Sequence, residues 1–242
     1  MLIKSIFNYS PNFSPNKRPR KVIKYIIFHY TGMKSEKSAI ERLTSIQSEV
    51  SAHYFIKKNG SLITLVPDTR IAWHAGKSKW KNKKLLNNES IGIEITNPGH
   101  EFGYKKFSKK QIKSLISLCN FLIKKYKIKK KNILGHSDIS PDRKKDPGEK
   151  FPWQYLAKNN IGLWHSLKSK DLKKVRRKIC NESQVKKFKK IIHKIGYRDD
   201  MSKNVKASTL ITKAFQRRYR PELIDGKIDL ECYLICKNLS FT

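Results

Sequence analysis

The sequence predicts an α/β fold, a mixed β-sheet flanked by helices, followed by a small C-terminal three-helix bundle. Three observations predict it. Residues 22–30 (VIKYIIFHY) and 90–96 (SIGIEIT) are β-branched and aromatic runs of strand length. Residues 108–127 carry apolar side chains at three- and four-residue steps, the period of an amphipathic helix. Residues 181–239 hold three further helical patterns with no strand between them, which sets a helical unit after the sheet-forming region.

Length supports the same division, since 242 residues accommodate one sizeable domain and a small one. The expected partition is an extended lead-in at 1–20, a catalytic domain at 21–165 and a helical domain at 180–240. The lead-in is rich in Pro, Asn and Ser over residues 9–20 and reads as irregular. Residues 22–30 then form a buried strand whose end carries His29. A capping box at Ser38 and Glu41 starts a short helix with Ile40 and Leu43 behind it. Residues 53–56 and 62–66 flank Asn59-Gly60, the signature of a tight hairpin. Residues 90–96 alternate apolar side chains about Glu94, and Asn97-Pro98-Gly99 ends that strand. Ser108 and Gln111 form a second capping box, followed by Ile112, Leu115, Ile116, Cys119, Leu122, Ile123 and Tyr126 on one helical face. Residues 132–135 are a short strand leading into His136, and a loop dense in Pro, Asp and Gly follows.

Composition narrows the function classes. A hydrophobic content of 38% and an aromatic content of 10% suffice for buried cores and exclude a disordered chain. The 54 Lys+Arg against 19 Asp+Glu give a formal charge of +35, which on its face suits a polyanionic partner. The excess is spread over both halves, Lys far outnumbers Arg, and no nucleic-acid-binding motif is present. A lysine-coated globular protein with no specific nucleic-acid partner is therefore the expectation. The four cysteines show no metal-ligand spacing and read as structural. The apolar patch at the N-terminus is interrupted by Lys4, too short for a signal peptide's apolar region or a membrane span. A cytoplasmic protein is expected on that ground, with a periplasmic or exported one as the alternative.

A catalytic zinc site needs three protein ligands, commonly His and carboxylate, and one open position. His29, His136 and Asp146 each lie where the chain leaves regular structure. Taken singly, each is more often a structural residue, the His at a strand end and the Asp in an Asp-Pro-Gly turn, and spacing does not single them out. Five ordered stretches do: FHYTG (28–32), SAHYFIKKNG (51–60), AWHAGKSKW (72–80), SIGIEITNPG (90–99) and GHSDISPDRKKDPGEKFPW (135–153). Together they resemble the type-2 family of N-acetylmuramoyl-L-alanine amidases, in its AmpD/AmiD group, over about residues 20–165.

The resemblance implies the type-2 amidase, peptidoglycan-recognition-like fold and one Zn2+ per chain held by His29, His136 and Asp146. It implies hydrolysis of the amide between the MurNAc, or 1,6-anhydro-MurNAc, lactyl group and L-Ala. Glu94 would be the general base, and Lys144 would face the developing oxyanion. Trp73 and His74 would line the substrate groove, while His53 would pack in the hairpin. The partner would be peptidoglycan or anhydro-muropeptides. Residues 214–229 (AFQRRYRPELIDGKID) resemble the helical peptidoglycan-binding domain that accompanies some of these enzymes. A non-catalytic peptidoglycan-recognition protein is the alternative from a binding class.

Overall fold

The computed structural model describes residues 5–198, 200 and 204–241. The patch read at residues 1–4 lies outside them. Six strands form the main sheet: β1 (Ile6–Phe7), β3 (Tyr25–Tyr30), β4 (Tyr54–Ile56), β5 (Leu62–Thr64), β9 (Ser90–Ile95) and β10 (Ile133–Gly135). Their order is β1-β5-β4-β9-β3-β10. Among the described residues of this sheet only the β4–β5 pair is antiparallel. Two short ribbons complete the strands: β2 (Phe13–Ser14) pairs with β6 (Ile71–Ala72), and β7 (Lys79–Trp80) with β8 (Lys83–Lys84).

Strands at the middle of a parallel sheet are covered on both faces, so their sequences read as near-continuous apolar runs. Successive side chains of β3 point to opposite faces. Ile26 and Phe28 join Ile91, Ile93, Ile95 and Ile133 beneath α2 (Lys109–Tyr126), whose Ile112, Leu115, Cys119 and Leu122 are buried there together with Trp153 and Leu156 of α4 (Trp153–Lys158). The α2 N-terminus carries the expected reciprocal Ser108–Gln111 capping box.

Tyr25, Ile27 and Leu134 face the other way. They share a core with Leu172 of α5 (Ser169–Val175), Phe188 and Ile192 of α6 (Glu182–Ile195), Ile211 and Phe215 of α7 (Val205–Tyr219), and Ile235 of α8 (Leu230–Leu239). The helical bundle is thus the second cover of the sheet. All four cysteines are buried and unbridged.

Two local expectations are corrected. The lead-in is not irregular throughout: β1 pairs with β5 and β2 with β6, while Ser10, Asn12 and Arg18 are buried. Arg18 donates to the carbonyls of Asp68, Asn87 and Asn88, so the backbone acceptors of neighbouring loops order a segment whose own composition favours turns. The first helix, α1 (Glu36–Thr44), starts three residues earlier than the Ser38 box implies. Ser35 is its cap and accepts from the Ser38 N–H, leaving Ser38 inside the first turn.

Candidate metal centre and active-site cleft

The site forms where β3, β9 and β10 end together, the edge at which open parallel sheets place their ligands. His29 is the penultimate residue of β3. Glu94 is its registered neighbour on β9, so both side chains leave the same face side by side. His136 follows β10 directly and opens the short helix α3 (His136–Ile139). Asp146 arrives from the loop after α3, which is tied back where the Ser137 N–H donates to the Asp146 carbonyl (2.8 Å). The Tyr104 hydroxyl holds the next turn by donating to the Pro147 carbonyl (2.7 Å). Gly148 has φ +85°, and a Cβ there would stand 2.3 Å from the Tyr104 oxygen, so only glycine fits this turn.

Three donor atoms converge: His29 Nδ1, His136 Nδ1 and Asp146 Oδ2 are each 3.0 Å from the other two. All three residues are buried. Protons cannot account for this triangle. His136 Nε2 lies 3.2 Å from the Ala75 carbonyl, which only accepts, and 3.3 Å from Arg143 Nη2, whose two protons have closer acceptors in the Ala75 and Lys77 carbonyls, so the ring proton belongs on Nε2 and Nδ1 presents a lone pair. His29 has His74 Nδ1 at 3.0 Å behind its Nε2. With the His29 proton on that outer nitrogen, two lone pairs and a carboxylate oxygen meet without a proton among them, a donor set that a divalent cation satisfies. The set fits a metal, and among the described residues it is the one His/Cys/Asp/Glu group found with metal-binding geometry.

Electrostatics match. Burial, and next the facing His136, lowers the His29 pKa to about 4, with Asp146 opposing, so this ring is neutral at pH 7. Burial pushes the Asp146 carboxyl up, but the His136 and His29 rings outweigh it and hold the group well below the usual carboxylate range. Burial, aided by the Asp146 charge and opposed by Lys144, raises Glu94 well above the ordinary glutamate value. Glu94 borders the cleft, yet its Oε2 is shut off from water and has no hydrogen-bond partner.

The cleft over these groups has a volume of ≈ 560 Å³, within the range of small-ligand sites. His29, Trp73, His74, Glu94, His136, Lys144 and Asp146 all line it. Trp73 is half-buried and donates from its indole to Ser14 Oγ (3.3 Å). His74 is buried, with both ring nitrogens engaged inside the protein. His53 is fully buried in the hairpin, accepting from the Gly92 N–H at 3.0 Å.

Sequence reasoning missed Arg143, which reads as one member of a solvated Arg-Lys-Lys run. Its guanidinium donates to the Ala75 and Lys77 carbonyls and to Ser140 Oγ, binding the loop after Trp73 to the loop that carries Asp146. It also missed the brace on α3. Asp138 is fully buried and accepts from the Gly135 N–H (2.8 Å), the Tyr197 hydroxyl (2.6 Å) and Arg218 Nη1 (2.6 Å). The only sequence signal was a carboxylate two residues after His136.

A family model described as N-acetylmuramoyl-L-alanine amidase matches residues 18–149. The chain is 34% identical over 229 residues to N-acetylmuramoyl-L-alanine amidase AmiD of Escherichia coli K12, covering 90% of this chain and 82% of the relative. It is 42% identical over 113 residues to 1,6-anhydro-N-acetylmuramyl-L-alanine amidase AmpD of Haemophilus influenzae, covering 46% of this chain and 59% of that one. Escherichia coli AmiD in complex with the substrate anhydro-N-acetylmuramic acid-L-Ala-D-γ-Glu-L-Lys superposes with a TM-score of 0.78 at 32% identity, over 93% of this chain and 91% of that one. Pseudomonas aeruginosa AmpDh3 in complex with an anhydromuramic pentapeptide gives 0.78 at 28% identity, over 93% and 92%.

Proposed function

We infer the reaction of this chain from one premise: it belongs to the N-acetylmuramoyl-L-alanine amidase family. It is an amidase that hydrolyses the bond between the lactyl group of MurNAc or 1,6-anhydro-MurNAc and the L-Ala of a stem peptide. The observation that carries this reading is the proton-free triangle of His29 Nδ1, His136 Nδ1 and Asp146 Oδ2, with Glu94, whose buried Oε2 has no partner, as the strand neighbour of His29.

In the proposed mechanism His29, His136 and Asp146 would hold one zinc ion. Zinc, when bound, acts as a Lewis acid that makes water a nucleophile near neutral pH. Glu94 takes the proton as water attacks the lactyl carbonyl carbon, then delivers it to the alanine nitrogen as the C–N bond breaks. Its buried position favours both acts, because a carboxylate with a raised pKa holds the proton long enough to pass it on. Lys144, on the cleft wall, places its ammonium near the oxygen that becomes negative in the tetrahedral intermediate. Trp73 borders the path along which the sugar or peptide lies.

The test incubates the purified chain with anhydro-muropeptide and, separately, with sacculi. Each is run with added zinc and with chelator, and released stem peptide is read by mass spectrometry. Release that chelator stops and zinc restores is expected; no release with zinc present refutes the reaction. Glu94→Gln should keep zinc and lose roughly 10²- to 10⁴-fold in kcat. Retained turnover in that variant removes Glu94 from its role.

A further inference from the structure

We propose that His74 and Ser90 form a positioning chain that holds His29 in the Nε2–H tautomer and so presents its Nδ1 lone pair to the metal. The inference rests on the reading of His29 as a metal ligand.

The chain starts from a group whose polarity is unambiguous. The Leu86 carbonyl can only accept, and Ser90 Oγ stands 2.6 Å from it. The single hydroxyl proton of Ser90 is used there, so Ser90 Oγ, 3.1 Å from His74 Nε2, is the acceptor in that second contact. His74 therefore carries its proton on Nε2 and shows a bare Nδ1. That bare nitrogen lies 3.0 Å from His29 Nε2, which must donate to it. His29 Nδ1 is left unprotonated, facing His136 and Asp146. A backbone carbonyl thus dictates, three side chains away, which nitrogen of the ligand is free.

The surroundings are built for this ring. His74 crosses over Gly92, where a Cβ would stand 2.3 Å from the imidazole Cγ. Ser90, Gly92 and Glu94 occupy successive positions on one face of β9: one holds the ring, one clears space for it, and one borders the cleft. Asn87 Oδ1 fixes the backbone by accepting from the His74 and Ala75 N–H groups (3.1 and 2.7 Å). The His74 ring meets those of His29 and His53 edge to face, at 82° and 72°. Ligand histidines are oriented in general by a carboxylate, a carbonyl or water. Here the outer partner is a neutral imidazole, which orients the ligand without adding negative charge to the site.

The test measures zinc affinity of the full chain by chelator competition for His74→Leu, His74→Asn and Ser90→Ala, together with imidazole ¹⁵N NMR of the unaltered zinc-loaded protein. His74→Leu removes the acceptor and should weaken zinc binding about 10- to 100-fold. His74→Asn puts an amide oxygen near the place of Nδ1 and should recover most of that loss. Ser90→Ala should give a smaller loss in the same direction. The NMR spectrum should show protonated Nε2 on both His74 and His29. Zinc affinity in His74→Leu within twofold of the parent, or an asparagine variant no better than the leucine one, overturns the proposal. Should a variant fail to fold, protonated Nδ1 on His74 in the unaltered protein overturns it alone. None of these readouts uses substrate, so absence of amidase activity sinks the reaction and leaves this test standing. Absence of zinc binding by the parent sinks the ligand reading first.

Discussion

Arg218→Met removes one charge from the brace that joins α7 to α3, the short helix that His136 opens. Arg218 Nη1 is 2.6 Å from Asp138 Oδ2, Nη2 donates to the Ile133 carbonyl at 3.0 Å, and the guanidinium lies 4.1 Å over the Trp153 ring. The two paired side chains are 2% and 1% exposed, so water cannot replace the lost partner. Breaking a buried pair from one side costs about 3–5 kcal/mol, because the remaining charge stays desolvated. At roughly 2–4 °C per kcal/mol for a chain of this size, the melting temperature should fall by about 6–20 °C. The Gly135 N–H and the Tyr197 hydroxyl still reach Asp138, which favours the lower half of that range. Thermal unfolding by circular dichroism reads the effect. Asp138→Asn in the same background should relieve part of it, since the stranded charge is then gone. A fall below about 1 kcal/mol, or a double variant whose loss is the simple sum of the singles, would refute the brace.

Two further outcomes follow from the geometry. Gly92→Ala drives a methyl into the His74 ring, so zinc affinity should drop about tenfold or more, and stability by about 1–3 kcal/mol; chelator competition and melting curves measure both, and unchanged affinity would contradict the crossing of ring over strand. The metal-free protein should lose stability with acid in a defined window. His29 titrates at about 4 when folded and at the ordinary 6.5 when unfolded, so between these values the unfolded chain binds more protons and stability falls as pH falls. Its share is about 3 kcal/mol, complete near pH 4 and absent above pH 6.5, and the depressed Asp146 adds a loss of the same sign at lower pH. A melting temperature that stays flat from pH 6.5 to 4 would contradict the neutral, buried histidine.

What the sequence disclosed follows the range of the interactions concerned. The Ser108–Gln111 cap spans three residues, and the α2 stripe repeats locally, so both were readable. The strand carrying His29 was readable as a strand, but not its parallel pairing with residues 90–95, which puts Glu94 beside His29 across some sixty intervening residues. Ser35 was missed as the α1 cap because Ser38 offered an equally good local pattern, and geometry rather than composition decided between them. The family motifs pointed to the five residues to which the proposed chemistry is assigned, whereas Arg143, Ser90 and Arg218 act through contacts that no spacing rule encodes. Gly92 did carry a legible hint. A glycine between Ser90 and Glu94 on one face of a central strand marks a close approach by something bulky.

The second cover of the sheet also has a temporal meaning. Arg218 follows Asp138 by 80 residues, and synthesis at about 5–20 residues per second separates their appearance by roughly 4–16 s. During that interval Tyr25, Ile27 and Leu134 present an uncovered apolar sheet face, and α3 lacks its cation. The nascent chain therefore passes through a stage that is prone to association, and that stage ends only when α7 docks. A ribosome-bound chain halted before α7 should bind a holdase chaperone and take up zinc weakly, and one extended past α8 should do neither.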